Sequence, residues 1–561
     1  MIELKDYQKI KLANLFKNKK FSELEYEIAS LCKPEDFTAF LCNLLGIVKI
    51  QKKSSSDGDY QEALQLFKNA TIKDPNYVDG LCNYAQLGLK LFQHEDALQK
   101  LQTFLKKGYN AKIYEALARV YYFTGEINEA LSLLKIIVDK NNASKETAAH
   151  FLAASNYTNK YSQSEYLHYC KKINENFKPK NLSNLKEFIF ENNSKNIEVG
   201  FISPDFCDHA ISQFFLKTLE ELKKYNFKLH AFNLRNTNKL DEFSEKYKKL
   251  FDFWHDVGDL SDVEIANVIR KNKVHILIDL VGYFAKNRFT VLKYKAAPIQ
   301  ALWLGYVNTT GIKEMDYIIA DPNLIREDEK KLYSEKIINL PNIWNCHSNI
   351  NADLEIEEQP CYKNNFFTFG CFNNSSKISD EVIVTWSKIL TKVKGSKLIL
   401  KAVSKDAQTA HKNFLYKFKK SNIDEERIIF LPRVEKREDH YRLYNKIDLA
   451  LDTFPYPGVT TSFEAIWMGV PTLTLKGNNF VSRCGTSINL NLGMKEFISS
   501  DLNEYISKAI LFAGERKKLS EIRKSLRSKA IDSPLFNSQI FGQNFSNLLN
   551  TMWKNYLLKN N

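Results

Sequence analysis

No apolar run in the chain reaches the roughly 18 residues that a membrane helix needs. The longest, 274–284 and 298–307, are short or broken by Asp279. The opening stretch, MIELKDYQKIKL, spreads charge along its length and has no apolar core ahead of a small-residue cleavage site. Neither a membrane span nor a signal peptide is therefore expected. The nine cysteines form no CxxC pair, which excludes a disulfide framework or a zinc ribbon and predicts reduced, mostly buried thiols. A long basic tract is missing too. The net charge of +14 is carried by dispersed pairs such as Lys19-Lys20, Lys106-Lys107 and Lys248-Lys249 set among acids, which reads as a solvated surface and predicts no nucleic-acid partner. What remains is 561 residues, 44% hydrophobic and 26% charged, with room for roughly three or four domains: a cytoplasmic enzyme or scaffold.

The first third repeats. GDYQEALQLF carries Ala63, QHEDALQKLQ Ala97, GEINEALSLL Ala130, and NKYSQSEYLH puts Ser164 in the same slot, at steps of 34, 33 and 34 residues. A small residue at that slot lets two antiparallel helices cross closely, a polar turn precedes it, and an apolar stripe at helical spacing follows. Asp74-Pro75-Asn76 breaks the chain between units. The array resembles tetratricopeptide repeats, with a less regular unit around Phe21 to Leu45; such arrays stack into a superhelix whose groove binds extended peptides or partner helices, and the alternative is an array that only buttresses the rest of the chain.

Beyond residue 180 the pattern changes to short β-rich runs alternating with amphipathic helices. Strands are expected at 197–202, 228–234, 274–280, 299–304 and 317–320, and after a polar stretch at 366–369, 397–401, 427–431, 448–451 and 471–475. Strand–helix alternation twice over predicts two α/β lobes with parallel sheets, each holding ligand at the carboxyl ends of its strands. The predicted organisation is helical repeats over 1–180, a first α/β lobe over 181–350, a connecting segment over 351–365, a second α/β lobe over 366–530 and a C-terminal helix over 531–561.

No GxxxxGK[ST] and no GxGxxG after a strand is present, so a P-loop or an ordinary dinucleotide site is not expected. The best phosphate candidate is LDTFPYPGVTTSFEA, 451–465, where a strand runs into a Pro/Gly loop and hydroxyl residues open a helix. Thr460 and Thr461 would add donors to the free N–H groups there, and Glu464 could accept from a ribose diol. The same letters, Thr461 to Glu464, also read as a capping box that only closes the helix. A second element, FGCFNNSSKIS, ends a strand in a polar turn with Asn373, Asn374 and Lys377, the last a point charge suited to a diphosphate or else a solvated surface lysine.

Together these stretches resemble a known family, the O-linked N-acetylglucosaminyltransferases and their SPINDLY-type O-fucosyltransferase relatives. The carrying segments are VGFISPDFCDH, HILIDLVGYFAKNR, APIQALWLGYVNTTG, MDYIIAD, FTFGCFNNSSKIS, RIIFLPRV, LDTFPYPGVTTSFEAIWMGVPTLTL and SPLFN, in the family's order over nearly the whole chain. The resemblance implies a tetratricopeptide superhelix joined to a GT-B fold of two Rossmann-like lobes facing a cleft. It implies an inverting, metal-independent transfer of N-acetylglucosamine from UDP-GlcNAc to Ser/Thr hydroxyls, with no cofactor and with a protein or peptide acceptor held in the repeat groove. Lys377 would stabilise the leaving diphosphate with help from Asn374. Thr460 and Thr461 would bind the phosphates, Glu464 the ribose, and Val434, Lys436 and His440 the base and ribose. His209, in the loop after the first strand, would face sugar and acceptor as a general base, since an imidazole near pKa ~6.5 suits proton removal at neutral pH.

The clear DxD, Asp57-Gly58-Asp59, lies in the repeats and not in the sugar-nucleotide lobe. Three departures from the family pattern, Val459, Phe284 and Val307-Asn308, fall near the expected sugar pocket. FNNSSK, FPYPG and NTTG look closer to the fucosyl branch, so GDP-fucose is the alternative donor. A repeat scaffold with a non-catalytic lobe pair is the alternative of another class, against which the joint presence of His209, Lys377, Thr460, Thr461 and Glu464 argues.

Overall fold

The computed structural model describes residues 4–52, 56–187, 196–235, 240–284, 286–348, 350, 354–401 and 408–560, so 351–353 of the expected connecting segment lie outside the described residues. Packing divides the chain into two compact units, with the boundary between Ala143 and Ser144.

The first unit is a run of helices: Asp6–Lys17, Phe21–Leu31, Ala39–Gln51, Asp57–Lys73, Val78–Lys90, Glu95–Leu105, Ala111–Thr124 and Ile127–Asp139. Ala63, Ala97 and Ala130 are fully buried, as close helix crossings require. Asn110 caps its helix by accepting from the N–H groups of Lys112 and Ile113, and Gly125 ends the same helix at φ 85°, where a Cβ would be strained.

The fourth copy behaves differently. Ser164 is exposed, and Tyr166, Leu167 and Cys170 of its helix are buried instead. The helices Lys145–Ser155 and Gln163–Asn176 belong to the second unit, so the packing boundary falls near 143 and not at 180. Their anchors are polar and specific. Asn156 donates to the Tyr306 hydroxyl at 3.2 Å, Asn308 donates to Asn156 at 2.7 Å, and Asn174 donates to the Tyr283 hydroxyl at 2.9 Å and to the Thr310 carbonyl at 3.0 Å. NTTG, residues 308–311, is thus a seat for this helix pair.

In the first lobe seven parallel strands are ordered β3-β2-β1-β4-β5-β6-β7: β1 Ile197–Ser203, β2 Phe227–Asn233, β3 Phe253–Asp256, β4 Ile276–Asp279, β5 Ile299–Leu302, β6 Tyr317–Ala320 and β7 Lys336–Asn339. Six form the second sheet, ordered β10-β9-β8-β11-β12-β13: β8 Thr368–Cys371, β9 Lys397–Lys401, β10 Ile428–Leu431, β11 Leu449–Leu451, β12 Thr472–Leu475 and β13 Ile498–Ser499. β3, β7 and β13 are edge strands that the apolar pattern did not announce. β3 and β7 are at most half-buried, so burial never required an apolar run of them.

The helix Ser538–Asn560 leaves the second lobe and packs on the first. The ring centres of Phe545 and Trp303 are 4.4 Å apart, as are those of Trp553 and His275, and Gly542 permits close approach, since a Cβ there would sit 2.3 Å from Glu221 Cβ. Burying Phe541, Phe545 and Trp553 contributes roughly 1.5–3 kcal/mol each, enough to hold this crossover in place. The lobes are also joined by buried polar contacts. Arg483 pairs with Glu329 through two nitrogens and donates to the Leu324 carbonyl at 3.0 Å, and Ser487 donates to Asp321 at 2.7 Å. Among the described residues no helix is long and apolar enough to cross a membrane, and all nine cysteines are free.

Candidate active site

Each sheet reverses its strand order once near the middle, between β1 and β4 in the first lobe and between β8 and β11 in the second. Loops leaving adjacent strands in opposite directions open a crevice at such a point. His209 follows β1 and Phe284 follows β4; Asn373, Asn374 and Lys377 follow β8, and the Pro/Gly loop follows β11. All these loops line one cleft of about 580 Å³, to which Thr460, Thr461, Val459 and Val307 also contribute. The two candidate elements of the second lobe are therefore one site, and His209 faces it from the other lobe.

Asp452, just past β11, organises the second-lobe wall. It is 2% exposed and accepts from the N–H groups of Gly458 at 2.6 Å and Thr453 at 3.0 Å, from Asn373 Nδ2 at 3.1 Å and from Thr474 Oγ1 at 2.8 Å. Burial pushes its carboxyl up to about 6 against these bonds. Asn373 in turn accepts from the Thr461 hydroxyl, which ties the β8 loop to the helix Thr460–Trp467. That helix start has Val459 as its N-cap and no side-chain cap, so the capping-box reading of Thr461 to Glu464 is not what the chain does here. An uncapped start presents free N–H groups and the positive end of the helix dipole to the cleft.

Lys377 is half-buried. Its ammonium donates to the Pro457 carbonyl at 2.8 Å and sits 4.1 Å from the centre of the Tyr456 ring. Burial, offset in part by Asp452, lowers its pKa to about 8, which leaves it mostly charged at neutral pH. Asn374 is exposed and accepts from the Ser376 N–H at 3.1 Å, shaping the turn that carries Lys377.

On the opposite wall His209 is exposed, with Nδ1 3.4 Å from the Ile211 nitrogen, whose N–H it accepts, and 3.8 Å from the Asp205 carboxylate. Burial raises the pKa of Asp205, opposed by the charges of His209, Lys286 and Arg235. Neighbouring Asp208 pairs with Arg437 of the second lobe. Phe284, Val307 and Val459, three of the departures from the family pattern, all line the cleft, whereas Asn308 is taken up by the helix pair.

Glu464 is buried and does not line the cleft. Its Oε2 accepts from His440 Nε2 at 3.0 Å and from the Tyr444 hydroxyl at 3.1 Å. Burial alone would raise its pKa, yet the His440 and Tyr444 hydrogen bonds hold it below the usual carboxylate range. His440 Nδ1 meets Lys401 Nζ at 2.5 Å, completing a Lys401–His440–Glu464 chain; with Nδ1 accepting from the ammonium, the imidazole proton belongs on Nε2. Val434 is half-buried and Lys436 exposed, in the loop between β10 and the helix Arg437–Arg442; neither lines the cleft. Residue-type reasoning missed Asp205 and Tyr456, which line the cleft, and Asp452 and Lys401, which lie outside its lining and hold Asn373 and His440 in place. Asp452 carried a readable signal, an acid directly after a buried strand; Lys401 looked like one more surface lysine.

The arrangement supplies Lys377, an uncapped helix start and hydroxyl donors on one wall, and an imidazole beside a carboxylate, with Lys286, on the other. It suits a diphosphate leaving group facing a hydroxyl nucleophile. Among the described residues no group of three or more His, Cys, Asp or Glu side chains could hold a metal ion.

A family model described as glycosyl transferase family 41 matches residues 171–354 and 351–545. The Solanum lycopersicum protein named probable UDP-N-acetylglucosamine–peptide N-acetylglucosaminyltransferase SPINDLY is 31% identical over 360 residues, 64% of this chain and 39% of that one. The Arabidopsis thaliana protein with the same enzyme name and the designation SEC is 27% identical over 372 residues, 65% of this chain and 38% of that one. The matched region thus spans about two fifths of these curated relatives. A solved structure of a mutant Thermobaculum terrenum O-GlcNAc transferase aligns with TM-score 0.79 at 24% identity, covering 90% of this chain and 96% of that one, and shares the fold of helical repeats followed by two Rossmann-like lobes.

Proposed function

Because the chain belongs to glycosyl transferase family 41, we propose that it is an inverting, metal-independent glycosyltransferase that moves N-acetylglucosamine from UDP-GlcNAc to serine or threonine hydroxyls of protein acceptors in the cytoplasm. The observation that carries this reading is the convergence of Lys377, Thr460 and Thr461 with His209 on one cleft at the switch points of both sheets. The acceptor oxygen attacks the anomeric carbon from the His209 side as the bond from that carbon to the diphosphate oxygen breaks. The hydroxyl proton passes to His209, and UDP leaves with its charge offset by Lys377 and the helix start. Donors already aimed at developing charge lower the barrier without reorganising, and holding both reactants in one cleft supplies proximity. Asn374 shapes the lysine turn, and Glu464 and His440 act as a positioned pair behind the nucleotide. No cofactor is required; the acceptor chain lies along the repeat helices.

The enzyme names of the tomato and Arabidopsis relatives, which specify UDP-N-acetylglucosamine, support UDP-GlcNAc. GDP-fucose is the donor to test beside it, since FNNSSK and FPYPG resemble the fucosyl branch. A thermal-shift panel of UDP, GDP, UDP-GlcNAc and GDP-fucose decides: a ligand at 100 times its Kd stabilises the fold by ~2.7 kcal/mol. Stabilisation by the uridine pair alone, with transfer that persists in EDTA, is the expected result. Stabilisation by the guanosine pair would replace the donor, loss of transfer in EDTA restored by manganese would overturn metal independence, and no shift with any of the four would favour a scaffold.

A further inference from the structure

Lys377 is the cation on which the proposed transfer depends, and the groups in direct contact with it are neutral, the Pro457 carbonyl at 2.8 Å and the face of Tyr456 at 4.1 Å, while the Asp452 carboxylate acts on it through its charge. The Tyr456 backbone is fixed, because its carbonyl accepts from Thr453 Oγ1 at 2.7 Å. The residue is 8% exposed, and its ring stacks on Tyr157, with centroids 4.8 Å apart and planes 24° apart. Tyr157 comes from the loop between the helices Lys145–Ser155 and Gln163–Asn176, next to Asn156, whose bonds with Tyr306 and Asn308 pin that loop to the first lobe.

We propose that Tyr456 is a positioning residue for the Lys377 ammonium, and that Tyr157 holds the Tyr456 ring in place from the last helix pair before the catalytic lobes. The inference rests on the reading of Lys377 as the diphosphate-binding cation. Its physical content is that an ammonium held by a carboxylate must give up an ion pair before it can meet a diphosphate. One held by a ring face and a carbonyl dipole is kept charged, aimed and available. The negative face of the ring favours the protonated amine, so removing the ring lowers the lysine's pKa. An aliphatic side chain of similar bulk fills the space but has no such face.

The test uses the full chain and reads Lys377 directly, by competitive acetylation with acetic anhydride across pH and mass spectrometry of the lysine-bearing peptide. In the wild type and in Tyr456→Phe the labelling midpoint of Lys377 should lie near 8. In Tyr456→Leu it should fall by about one pH unit, and in Tyr157→Leu by less in the same direction. Affinity for whichever of UDP and GDP the wild type binds should weaken about tenfold in Tyr456→Leu and be retained in Tyr456→Phe. Tyr456→Met takes the place of the leucine variant if that does not fold. An unshifted midpoint and affinity in the aliphatic variants, or a phenylalanine variant that falls as far as the leucine one, overturns the proposal. The reading beneath it fails separately, if the wild type binds neither UDP nor GDP while the labelling shift is still observed.

Discussion

Replacing Asp452 with asparagine should make the protein more stable at neutral pH and less active. Burial raises the carboxyl from 3.8 to about 6, which corresponds to about 3 kcal/mol between its protonated and ionised forms. The sign follows from the direction of the shift. Between roughly pH 4 and 6 the folded chain keeps a proton that the unfolded chain has released. Stability therefore falls as pH rises through this window, and the deficit is complete above it. Asparagine carries no charge, still accepts from Gly458 and Thr453, and offers its amide to Thr474 Oγ1, whose oxygen can accept. Denaturant unfolding of both proteins from pH 4 to 8 should give a stability difference near zero at the acid end, growing to as much as about 3 kcal/mol in favour of the variant above pH 6. Asp279 and Asp321, also pushed to about 6 by burial, are common to both proteins and cancel in that difference. Activity should move the other way, because Asp452 helps keep Lys377 protonated. If the lysine's pKa falls by about one unit, the charged fraction at pH 7.5 and with it kcat/KM drop about threefold. A stability difference that does not change with pH, or a variant as active as the wild type across pH 7 to 9, would refute this account of the loop.

Lys377→Ala should fold normally and lose transfer by ~10² to 10³, the scale for deleting one donor to transition-state charge; an unchanged turnover number removes the lysine from the mechanism. His209→Ala should abolish transfer while leaving the Kd for the nucleotide-sugar donor, measured calorimetrically, within about twofold, since the side chain stands on the first-lobe wall, opposite Lys377, where the acceptor is proposed to enter; a large loss of nucleotide affinity would refute that placement. Gly458→Ala puts a Cβ 2.4 Å from Thr461 Oγ1 and 2.6 Å from Asn373 Oδ1. It should cost about 1–3 kcal/mol of stability and weaken nucleotide binding in the thermal-shift assay, and undiminished binding would mean that the loop does not touch the phosphates.

Helix crossings and buried strands were legible because burial leaves a periodic mark. Ala63, Ala97 and Ala130 recur at the repeat step, and nearly every central strand lies within two residues of its apolar run. The second-lobe residues of the candidate site were legible for a related reason: a polar loop after an apolar strand has no packing duty, so Lys377, Thr460 and Thr461, which line the cleft, stood out. Contacts between segments remote in sequence leave no such mark. Ser164 has the spacing of a helix-crossing residue, yet it is exposed, because its helix turns Tyr166, Leu167 and Cys170 inward where the first lobe offers Tyr306 and the 308–311 loop. Glu464 has the spacing of a capping-box acid or a ribose acceptor, yet His440 and Tyr444, 24 and 20 residues earlier, take its oxygen. The order of the chain determined the elements, the two parallel sheets and the loops that line the cleft. Which side chains share the cleft, how Asp452 organises one wall, and what holds the Lys377 ammonium were decided in three dimensions, because hydrogen bonds and ring contacts depend on distance in space and carry no period along the chain.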